Sequence, residues 1–106
     1  MDVKFELPNG EQVTLDEERA MFLADSLRGR ASGEHGKIKK PDTVRALADE
    51  IDAHASGAAT GSIRLDGTAE LDPLLSILNV AAMGDTDRGL RTLHRAVRAL
   101  YDAHSA

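Results

Sequence analysis

The stretch "VKFELPNGEQVTL" constrains the fold of this chain more than any other. Val3, Phe5 and Leu7 alternate with polar residues, and Val13 and Leu15 do so again after Asn9-Gly10. Such period-two alternation puts one side of each strand in a core and the other in water. Asn-Gly supplies the positive φ angles of a tight primed turn, so the pattern predicts a β-hairpin in which Pro8 stops the first strand or widens the turn. A lone hairpin is marginal in water, so its apolar face must rest on helices supplied by the rest of the chain.

Four helical segments follow. Asp16 is placed to cap the first, with Glu17 and Glu18 at the positive end of its dipole. That helix is predicted to run to about residue 31 with Ala20, Leu23, Ala24 and Leu27 inward. Asp42, after Pro41, is expected to cap the second, whose stripe is Val44, Leu47, Ala48, Ile51 and Ala55. A short strand follows in "SIRLDG", with Ile63 and Leu65 on one face. Asp72 as cap and Pro73 as first helical residue predict a third helix over about 73–82, ended by Gly84, with Leu74, Leu75 and Leu78 inward. The fourth is expected from about Thr86 to residue 103, burying Leu90, Leu93, Val97, Leu100 and Tyr101.

An echo at a shift of 50 residues organises these elements. "IDAHAS" (51–56) faces "YDAHSA" (101–106), Arg45-Ala46-Leu47 faces Arg95-Ala96-Val97, and "VTLD" (13–16) faces "IRLD" (63–66). The echo predicts two pseudo-repeat halves, about 11–56 and 61–106, each a strand followed by two helices. Halves of that length are marginal alone, so both are expected to share one core within a single domain, residues 1–106. The predicted fold class is α+β: a small antiparallel sheet, a hairpin plus one strand, covered by four helices, with internal duplication of a β-α-α unit. With two Phe, one Tyr and no Trp, its core must be made of Leu, Val, Ile and Ala.

Composition narrows function mostly by exclusion. The absence of cysteine removes disulfides, thiol catalysis and cysteine-ligated metal centres. No apolar run reaches membrane-spanning length, and "MDVKFELPNG" lacks the basic start and apolar run of a signal peptide. The expectation is a soluble cytoplasmic protein. The net charge of −5 conceals segregation: residues 28–40 carry five bases against one acid, and residues 88–106 four against one, within an otherwise acidic chain.

These basic islands hold the candidate site. Arg88, Arg91, Arg95 and Arg98 are spaced to share one helix face opposite the leucines, where guanidinium forks can grip phosphates or a carboxylate-rich partner. The plainer alternative is a solvated face partly neutralised by Asp102. Lys37, Lys39 and Lys40 lie in the glycine-rich stretch "GRASGEHGKIKKP". That stretch is not a phosphate-binding P-loop: the Gly required five residues before Gly36 is Ala31, and Ile38 replaces the required hydroxyl. Aromatic residues for base stacking are absent from both islands.

His54 and His104 occupy matching positions in the echo and, with Asp52 and Asp102, suggest a metal site. An Asp two residues before a His on a helix faces elsewhere, however, so capping of terminal carbonyls is the better account. Ser32 and His35 share a loop without an acid placed to orient the histidine, so no catalytic set is expected. The sequence therefore predicts a small non-enzymatic binding or assembly module. It would act through protein–protein contact, as a homodimer and with a protein partner still to be identified, and without a cofactor. The alternative is a nucleic-acid or anion-binding accessory using the basic loop and the arginine-striped helix.

Overall fold

The structure, a computed structural model, describes residues 1–8, 10–33, 40–65, 71–84 and 88–105, with the backbone alone at 82, 84, 88, 104 and 105. In chain order the elements are β1 (Val3–Glu6), β2 (Gln12–Leu15), α1 (Glu17–Ala31), α2 (Pro41–Ser56), β3 (Ser62–Arg64), α3 (Leu71–Gly84) and α4 (Arg88–Ser105). They form an α+β fold with a three-stranded sheet of order β2-β1-β3.

The hairpin forms as its alternation demands. β1 and β2 pair antiparallel from Val3 opposite Leu15 to Glu6 opposite Gln12. The turn is wider than a two-residue Asn-Gly connection. Gly10 N–H donates to the Leu7 carbonyl and Leu7 N–H to the Glu11 carbonyl, both at 2.9 Å. Pro8 therefore takes the second position of a four-residue turn, where its fixed φ is favourable, and Gly10 ends it at φ +88°.

The third strand corrects the antiparallel sheet expected from the sequence, because β3 runs parallel to β1, with Phe5 opposite Ile63. The reason lies in the two intervening helices. β2 ends beside the start of β1; α1 leads away and α2 returns to that same end, where the Ala55 carbonyl accepts from the Met1 amino group at 2.8 Å. A strand beginning there must run alongside β1, and the sheet is mixed.

Helix termini account for the other corrections. Asp16 caps α1 as expected, accepting from Arg19 N–H at 2.9 Å. Asp42 does not cap α2. Pro41 occupies its first turn and Lys40, at φ +52°, is the residue that precedes it. Asp42 instead sits inside the first turn and pairs with Arg45 at 3.1 Å. α3 begins at Leu71, earlier than predicted, which brings Leu71 into the core. Pro73 is tolerated in that first turn because the N–H it lacks would have no helical acceptor. The expected start of the last helix at Thr86 lies outside the described residues.

One hydrophobic cluster joins all seven elements. Phe5, Leu15, Leu23, Leu27, Ile51, Ile63, Leu65, Leu74, Leu78 and Leu93 are among its fully buried members. The stripes predicted for α1 and α2 are buried as expected. On α4, Leu90, Leu93 and Val97 are buried, while Leu100 and Tyr101 only pack partly against the cluster. Among the described residues, no helix is long and apolar enough to cross a membrane.

Candidate functional site

The amphipathic pattern of α4 turns its leucines inward and leaves Arg91, Arg95 and Arg98 in solvent. Arg98 lies 3.5 Å from Asp102 four residues on, the internal neutralisation anticipated from the spacing. Arg95 has no ion-pair partner among the described residues. Arg88 opens the helix with its backbone only described. Lys40 is exposed before α2, whereas Lys37 and Lys39 lie outside the described residues, as does His35. The structure thus places three exposed arginines at spacings of four and three along α4.

The suggested histidine–aspartate metal set is not assembled around His54. Asp52 is taken by Arg28 of α1, which reaches it at 2.5 Å and Asp49 at 2.8 Å. Those carboxylates hold the guanidinium pKa above its ordinary value, first through the hydrogen bond to Asp49 and then through that to Asp52. His54 is buried, and its Nδ1 lies 2.9 Å from the Glu50 carbonyl one turn back. The His104 side chain is outside the description. No cluster of three potential metal-ligating side chains occurs among the described residues.

Two surfaces escaped the sequence reading. The first is the outer face of the sheet. Since Val3, Phe5, Val13, Leu15 and Ile63 turn inward, the alternate residues form cross-strand rows: Thr14, Lys4 and Ser62 in one, Gln12, Glu6 and Arg64 in the other. A cavity of about 270 Å³ opens at the Lys4 row, with His54 in its wall. A second, of about 250 Å³, lies between Glu6, Arg64 and the Pro8 turn. The same alternation that predicted the hairpin carried this signal, once the pairing register was known.

The second surface is apolar. Val80 and Met83 of α3 are 73% and 83% exposed, and Met21 and Phe22 of the neighbouring α1 are about half exposed. Their signal was position: none falls on the inward stripe of its helix. Comparison with protein-family models, with curated proteins and with solved structures finds no match to this chain.

Proposed function

We propose that the protein is a small non-catalytic binding module that acts through protein–protein contact and pairs with a second copy of itself. The observation that carries this reading is the outer side of α3. Val80 and Met83, three residues apart and so on one face, stand in water on a helix with Asp72 as its one charged residue. Large apolar side chains exposed together mark a surface that an assembly covers. A twofold contact sets the same patch of both copies face to face, so one surface suffices for pairing.

Sedimentation velocity of the full chain across a range of concentrations tests the proposal. The expected result is a concentration-dependent dimer that becomes monomeric in the Val80→Glu/Met83→Glu variant, with the helical circular dichroism of the folded chain retained. A monomer throughout, or a dimer indifferent to those substitutions, rejects it.

A second reading, anion or nucleic-acid binding along Arg91, Arg95 and Arg98, is favoured by the exposed Arg95, which has no ion-pair partner among the described residues. Salt titration of binding to generic duplex DNA separates the two, since phosphate contacts give affinity that falls linearly on a logarithmic salt scale.

We also propose that the halves at about 11–56 and 61–106 descend from one unit. In support, β2-α1-α2 and β3-α3-α4 follow the same order, and β2 and β3 flank β1 in opposite directions. A twofold axis through β1 would relate strands in that way.

A further inference from the structure

The cavity at the Lys4 row is lined by three titratable side chains, His54, Asp2 and Lys4. His54 is 8% exposed and lines it. Its Nδ1 lies 2.9 Å from the Glu50 carbonyl, which can only accept, so Nδ1 carries a hydrogen and Nε2 is the ring nitrogen left for a ligand. Among the described residues nothing donates to that nitrogen.

Asp2 and Lys4 line the same cavity. Two residues apart along one extended segment, they project to the same side of the sheet about 7 Å apart along the chain. Neither has an ion-pair partner among the described residues. Thr60 and Ser62 add hydroxyls that can donate or accept.

This combination discriminates between ligand classes. A bare anion meets the Asp2 carboxylate, which repels it. A bare cation meets the Lys4 ammonium, and a metal ion lacks a ligand cluster. A ligand carrying both charges pairs with Asp2 and Lys4 together, while the Met1 ammonium, which also belongs to a lining residue, is already held by Glu17 and the Ala55 carbonyl. The ligand's ammonium donates to Asp2 beside the His54 ring, and its carboxylate accepts from Lys4 and the hydroxyls, as charge-assisted bonds. At about 270 Å³ the cavity is below the usual range for drug-sized ligands, which restricts the occupant to a small molecule. We propose that this cavity binds a small zwitterion of the free α-amino acid type, independently of the pairing surface on α3.

Nitrogen-15 NMR of the His54 ring in the full chain tests this, with glycine as probe and N-acetylglycine and methylamine as controls lacking the ammonium and the carboxylate. The expected result is a saturable Nε2 shift with glycine alone, weakened about tenfold or more by Asp2→Asn and by Lys4→Met through loss of one charge-assisted contact. Both substitutions are at exposed side chains, so the fold is retained and the response stays interpretable. The absence of a saturable shift, an equal response to either control, or a glycine response unchanged in both variants overturns the proposal.

Discussion

Arg28 on α1 and Asp52 on α2 are held in contact at 2.5 Å, and the same guanidinium reaches Asp49 one turn earlier at 2.8 Å. One arginine thus clasps two turns of the neighbouring helix over the buried Leu27–Ala48–Ile51 region. The clasp is partly exposed, so its contribution is that of a surface network. Arg28→Ala is expected to destabilise by about 1 kcal/mol at low ionic strength and by less in high salt. Urea denaturation at two salt concentrations measures this. An effect independent of salt would show that the aliphatic stem, and not the charge, joins the helices.

The cap of α1 makes stability depend on acidity. The Arg19 backbone N–H holds the Asp16 carboxyl below its ordinary pKa; desolvation opposes this, and the Arg19 side chain adds to the lowering. Because the folded-state pKa is depressed, the stabilisation is present above the unfolded value near 4 and is lost as pH falls through the folded value. Asp16→Ala should cost about 1 kcal/mol at neutral pH. Asp16→Asn, which keeps an acceptor, should cost less and flatten the decline in denaturation midpoint below about pH 4.

Leu47 and Val97 lie at equivalent places in the 50-residue echo, and both are buried. Leu47→Ala is expected to destabilise by about 2–4 kcal/mol, and Val97→Ala by about 1–2 kcal/mol for its smaller loss of volume. Chemical denaturation should show both shifts without a change in slope. A midpoint within error of the parent for either would mean that the core relaxes into the space left behind.

Such core positions were legible because they depend on local periodicity alone. The alternation from Val3 to Leu15 and the stripes of α1 and α2 each reflect one element and one buried side. The direction of β3 depends instead on where a helical pair returns the chain, a relation between Ala55 and Met1 that no local pattern encodes. The candidate sites divide likewise. The arginine spacing on α4 could be read directly, but the Lys4 cavity needs the register of three strands together with the end of α2. Asp42 illustrates a local error: it was expected to cap α2, but the fixed φ of Pro41 suits the first helical position and moves the helix start ahead of it.

Gly57 shows how one backbone angle joins α2 to the third strand. It ends the helix at φ +85°, with its N–H donating to the His54 carbonyl at 3.2 Å. A Cβ there would also lie 2.7 Å from the Met1 sulfur, a flexible atom that can move aside. The backbone angle therefore dominates, and Gly57→Ala should destabilise by about 1–2 kcal/mol. Gly57→Asn, better suited to this left-handed region, should lose less; equal losses in thermal denaturation would place the cause in the Met1 contact instead.

The arginine face yields the last prediction, because Arg91 and Arg95 are not equivalent. Both are exposed, but Arg91 interacts with another part of the protein, whereas Arg95 has no partner among the described residues. Reversing an unpartnered exposed charge scarcely changes stability, so Arg95→Glu should move the denaturation midpoint by less than about 0.5 kcal/mol equivalent. Arg91→Glu, at the exposed position one turn earlier, is the second variant. If α4 binds a polyanion, both variants should weaken binding to duplex DNA and reduce its salt dependence by about one unit of slope per arginine removed. Wild-type binding by Arg95→Glu at unchanged stability would leave this face a solvated surface, with assembly through α3 as the remaining function.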